Sequence, residues 1–160
     1  PQADKALITD GSGNLSFGDA GGGKVLQVVQ AETTTAQDVA SGSFADIGGV
    51  TVSITPSATS SKIFLLLSLH FDTQAGDRGF GIQVVRTIGG SATNIHTDYG
   101  NKGLYTGSSR IQGKYTHHEL DSPNTTSATT YKIQTKTDGS NNIRFNEQAI
   151  TSITAIEIGA

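Results

Sequence analysis

Lys62-Ile63-Phe64-Leu65-Leu66-Leu67-Ser68-Leu69-His70-Phe71 is the stretch on which the reading of this chain turns. It is far shorter than the ~18–20 apolar residues that cross a bilayer, and it reads as a buried strand. Side chains alternate across a strand, so Ile63, Leu65, Leu67, Leu69 and Phe71 share one face while Phe64 and Leu66 share the other. Both faces are therefore apolar. An antiparallel sheet normally buries one face and wets the other, so a strand that is apolar on both needs a second cover. With no helix in the pattern to supply it, the expected lid is another subunit, and Phe64 and Leu66 are the candidate subunit interface.

The neighbouring segments carry the same period of two. Thr51-Val52-Ser53-Ile54-Thr55 turns Val52 and Ile54 inward, and Pro56 stops it. Thr129, Tyr131, Ile133 and Thr135 share a face opposite Lys132, Gln134 and Lys136. Asp138-Gly139 then predicts a hairpin into Asn142-Ile143-Arg144-Phe145. Val25 to Gln30, Gly79 to Ile88, Ala92 to His96, Arg110 to His117 and Ile150 to Ile158 bring the total to roughly nine or ten strands. Ala36-Gln37-Asp38-Val39-Ala40 reads as one helical turn at most.

Residues 1–23 differ from the rest. Leu7, Ile8, Leu15 and Phe17 are their main apolar side chains, and Gly18-Asp19-Ala20-Gly21-Gly22-Gly23 closes them as a linker. The expected fold is all-β, an antiparallel β-sandwich of jelly-roll-like form over residues 24–160. Residues 1–23 precede it as an extended N-terminal arm, ordered through contacts with other chains.

Composition narrows the function. Ser and Thr supply 37 of 160 residues and glycine 20, which suits pleated surfaces and tight turns better than helices. A formal net charge of -3 offers no basic face for nucleic acid, and no apolar run is long enough for membrane insertion. The absence of Cys excludes disulfides, thiolate metal sites and cysteine nucleophiles. With no Trp, six Phe and four Tyr, the core is poor in large side chains, and burial between subunits is the natural supplement. Pro1 to Lys5 contain no apolar secretory core, and a start at Pro1 leaves initiator removal and excision from a longer chain equally open.

The chemical motifs are weaker than their plain readings. Gly18-x4-Gly23-Lys24 approaches a phosphate-binding loop, but Val25 follows where Ser or Thr is needed, and a strand follows where a helix is needed. Asp10-Gly11-Ser12-Gly13-Asn14 resembles the start of a calcium loop and reads as a turn, as does Asp138-Gly139-Ser140-Asn141-Asn142. Adjacent His117 and His118 point to opposite faces of a strand. His70 and Asp72 share a face, where Asp72 could orient the imidazole, and a third histidine such as His96 would have to arrive by folding. Asp72 with Asp77, and Glu119 with Asp121, are the available acid pairs, each beside turn residues with a solvent-exposed explanation. No catalytic, cofactor-binding or metal-ligating residue is assigned, and no enzyme activity is expected. The stretch from Ile88 to Ser109 reads as glycine-rich loops, and Tyr99 and Tyr105 are its candidate partner contacts.

Five segments together carry a resemblance. Leu7 to Phe17 (LITDGSGNLSF) resembles the segment where phage tail-fibre shafts run into their terminal domains. Gly22 to Gln30 (GGKVLQVVQ) is similar to the opening strand of small β-domains of marine tailed bacteriophages, and Val50 to Lys62, Asp121 to Gln134 and Ser152 to Ala160 continue it. The resemblance implies a homotrimeric β-sandwich on the outside of a virion, made in the host cytoplasm. Its implied function is that of a tail-fibre or receptor-binding head domain. Its partners would be its own copies, other virion proteins through the arm, and a host surface glycan or receptor. A capsid decoration (cement) protein and a carbohydrate-binding module are the alternatives.

Overall fold

The computed structural model describes residues 5–18, 24–75, 78–98, 104–106, 109–137, 142–147 and 149–159. Among them no helix occurs. Thirteen strands follow in order: β1 (Ala6–Thr9), β2 (Leu15–Gly18), β3 (Val25–Thr33), β4 (Gln37–Val39), β5 (Ala45–Ile54), β6 (Lys62–Asp72), β7 (Arg78–Ile88), β8 (Ser91–Thr97), β9 (Leu104–Thr106), β10 (Gln112–Asp121), β11 (Thr129–Thr137), β12 (Ile143–Phe145) and β13 (Thr151–Ile158).

Two antiparallel sheets face each other as a sandwich. In the first, β6 is central: β10 runs along one of its edges, while β13 and then β12 share the other. β3 lies outside β13, and β4 outside β12. The second sheet runs β5, β11, β7, β8, with the short β9 also on β7. The inward row of β6 is as the alternation predicts, with Ile63, Leu65, Leu67, Leu69 and Phe71 all buried. It meets Val52 and Ile54 of β5, Phe80, Ile82 and Val84 of β7, and Tyr131 and Ile133 of β11 in one core. Three of the scarce aromatics meet in one cluster. Phe80 packs its ring 5.1 Å from Phe71 and 5.4 Å from Phe145, joining the two sheets there.

Four expectations are corrected. Asp138 and Gly139 lie outside the described residues, but β11 and β12 do not pair as the hairpin requires, because β5 and β7 already occupy both edges of β11. β12 crosses instead to the first sheet, where Ile143 and Phe145 are fully buried. Residues 37–39 are a strand rather than a helical turn: β12 gives them a partner, Val39 enters the core, and Arg144 grips Asp38 through two nitrogens at 2.8 and 2.9 Å. In the stretch from Ile88 to Ser109, the described residues include the strands β8 and β9 where loops were expected. Gly89 and Gly90, with φ of 55° and 84°, make the tight two-residue turn from β7 into β8. Finally, part of the N-terminal arm is folded. β1 and β2 pair as a hairpin separate from both sheets, and Asp10 closes its turn by accepting bonds from the Ser12 and Asn14 amides.

Candidate functional site

The outer face of the first sheet carries a continuous apolar row. Val28 on β3 stands opposite Ile156 on β13, Ile156 opposite Phe64 on β6, and Phe64 opposite Leu120 on β10. Four strands at ~4.8 Å spacing make this row about 14 Å wide. Leu66 extends it by one step and is 42% exposed, Leu120 is 54% exposed and Val28 is 56% exposed. Phe64 is half-buried, with its ring 6.1 Å from that of His118. Phe64 and Leu66 thus lie on the outer face, as the alternation predicts, and Leu66 is left exposed among the described residues.

The two described aspartates of the acid pairs, Asp72 and Asp121, are tied into the fold. Asp72 is fully buried and its carboxylate is taken up by Arg110, Gln112, and the side chain and amide of Gln74. The Arg110 guanidinium holds this carboxyl far below the usual range, against the opposing effect of burial. It therefore does not orient His70, whose Nδ1 is buried without a hydrogen-bond partner. Asp121 is also buried and binds Arg86 and Tyr131, so neither aspartate has the solvent-exposed explanation expected. Asp77 and Tyr99 lie outside the described residues. Tyr105 falls on β9, opposite Gly79 of β7, where only its backbone is described. Tyr131 is a core residue and Tyr115 is half-buried, so neither offers a sugar-stacking platform.

The histidine that arrives by folding is His96, and it meets His117 rather than His70. Tyr115, His117 and Glu119 alternate along the inner side of β10, the edge strand of the first sheet. β8 brings His96 from the second sheet, and a register shift beside it lets Ile95 reach the core while His96 also turns inward. The two imidazole rings lie 3.9 Å apart, centre to centre. Glu119 Oε2 is 3.5 Å from His96 Nδ1 and 3.4 Å from His117 Nε2. Behind them, Asp98 Oδ1 is 3.4 Å from His96 Nε2, and Asp98 Oδ2 accepts the Tyr115 hydroxyl at 2.5 Å. That hydroxyl keeps the Asp98 carboxyl below its ordinary range. Burial lowers the pKa of His117, and neighbouring His96 lowers it further. The sequence suggests His96 as a partner for His70 and sets His117 beside His118, and neither pairing is the one that forms. The alternation Tyr115, His117, Glu119 was the signal available.

No protein-family model and no curated protein matches this sequence. Among solved structures, the chain is similar to the infectious bursal disease virus Gx strain, with a TM-score of 0.41 and 11% identity over 97% of this chain and 36% of that one. It is similar also to the VP2 subviral particle of that virus, with a TM-score of 0.44 and 14% identity over 96% of this chain and 44% of that one. The chain thus spans less than half the length of these proteins. No residue role is carried over from them.

Proposed function

We propose that this protein is a structural component of the surface of a tailed-bacteriophage virion, a tail-fibre or receptor-binding head domain that assembles as a homotrimer. The observation that carries this reading is the bare apolar row Val28, Ile156, Phe64 and Leu120, with Leu66 beside it. Such side chains are worth ~1.5–3 kcal/mol each when fully buried, so a second copy seated here recovers several kcal/mol that the isolated chain forfeits. Closed symmetry removes the exposure for every copy at once. The number three comes from the family resemblance, as does the phage. The N-terminal hairpin supports an attachment role: Leu7, Leu15 and Phe17 are each more than half exposed on it, available to another virion protein.

Light scattering tests the assembly. The protein is expected at about three times its 16.6 kDa chain mass, and Leu66→Asp is expected to dissociate it while circular dichroism still shows β structure. A folded monomer at micromolar concentration refutes the trimer. Electron microscopy of labelled particles then separates tail from shell.

A further inference from the structure

The geometry points to a divalent-metal site, suited first to zinc, made by His96 Nδ1, His117 Nε2 and Glu119 Oε2 between the edge strands β8 and β10. Three observations converge on it. The first is spacing. Ligands at ~2.0–2.1 Å from a tetrahedral zinc lie about 3.3–3.5 Å from one another. The Glu119 oxygen stands 3.5 and 3.4 Å from the two imidazole nitrogens, and all three ligand atoms lie within 4.8 Å of one another. The two rings, inclined at 30° to each other, turn their nitrogens toward one point to complete the triangle.

The second observation is that His117 Nε2 is buried with no hydrogen-bond partner, although it faces the carboxylate. Buried polar atoms are nearly always satisfied, and a cation satisfies this one. The third is the backing. A metal on Nδ1 of His96 leaves the proton on Nε2, which is buried without a hydrogen-bond partner, and a turn of the ring brings it to Asp98 Oδ1, 3.4 Å away. Tyr115 fixes the other Asp98 oxygen. Ligating histidines almost always have such a carboxylate or carbonyl behind them, and it sets both tautomer and ring orientation.

Imidazole and carboxylate donors suit zinc better than calcium or magnesium, which prefer all-oxygen shells. Three protein ligands leave a fourth position for water or for a donor from another molecule. Because His96 belongs to one sheet and His117 and Glu119 to the other, the ion fastens the two sheets at their open edges.

Calorimetry with zinc chloride, on the whole chain after chelator treatment, tests the site. One zinc per chain is expected, with binding lost in His117→Ala and weakened at least about tenfold in Glu119→Gln. Asp98→Asn is expected to weaken it by about 10–100-fold. His118→Ala, on the opposite face of β10, is expected to bind as the unmodified protein does. Cobalt(II) added in place of zinc should give the visible absorption of a tetrahedral centre, a readout that needs no variant to fold. Absence of zinc binding, or equal affinity in Glu119→Gln and the unmodified protein, overturns the site.

Discussion

Tyr131 donates its hydroxyl to Asp121 Oδ2 at 2.6 Å, tying a fully buried ring on β11 to the last residue of β10 in the opposite sheet. Arg86 of β7 holds the other carboxylate oxygen at 2.7 Å. Three strands from two sheets therefore converge on one buried carboxylate.

The two bonds should separate by mutation. Tyr131→Phe removes one hydrogen bond and leaves Asp121 with Arg86, for an expected loss of about 1 kcal/mol in urea unfolding. Asp121→Ala strands both the hydroxyl and the guanidinium, and its expected loss is about 2–4 kcal/mol. Equal losses in the two variants would show that the Arg86 pair contributes nothing.

Glu157 should make the fold acid-labile. Burial pushes its carboxyl up, but bonds from Gln27 at 2.6 Å and from the Ser57 amide and hydroxyl at 2.7 Å outweigh that, holding the pKa at about 2 against an ordinary 4.5. A depressed carboxylate pKa means stability that is fully present above about pH 5 and is lost as pH falls toward 2. The amount is on the order of 3 kcal/mol. Stability measured from pH 5 to 2 should fall less steeply in Glu157→Gln than in the unmodified protein. Parallel curves would exclude Glu157 as the source.

Gly49 marks a backbone constraint. Between Asp46 and Thr51, β5 bulges away from β11, and Gly49 supplies a φ of 80° in that bulge. An added Cβ there would lie 2.8 Å from Thr33 Cβ on β3, whereas one at Gly89, with a φ of 55°, would meet nothing within 4 Å. Gly89→Ala should cost about 1 kcal/mol, the left-handed penalty alone, and Gly49→Ala about 2–3 kcal/mol. Thermal unfolding of the two variants checks the order; a smaller loss for Gly49→Ala would mean that Thr33 moves aside freely.

What could be read in the sequence was what depends on neighbours along the chain. The inward row of β6, the outward Phe64 and Leu66, and the buried face of β11 all follow from a period of two and are found as expected. What could not be read depends on which strand lies beside which. The pairing of β12 with β4 is invisible locally, because the Asp138-Gly139 turn signal describes a hairpin that only the occupied edges of β11 forbid. The meeting of His96 and His117 likewise needs a register shift in β8 and the approach of two sheet edges, neither of which has a composition cue. Nor does any local pattern signal that Asp98 and Tyr115 stand behind this pair.

The Gly159 amide donates to the Lys24 carbonyl at 2.8 Å, so the start of β3 and the end of β13 meet at a single spot, on adjacent antiparallel strands. That arrangement sets the mechanics of the sandwich. Tension applied between these two points pulls across β3 and β13 and opens their ladder one hydrogen bond at a time, like a zipper. Tension carried through Lys24 alone, with the other side of the domain held by its neighbours, must shear many bonds together. A domain wired in this way is weak when stretched between its own ends and strong when it hangs from one of them.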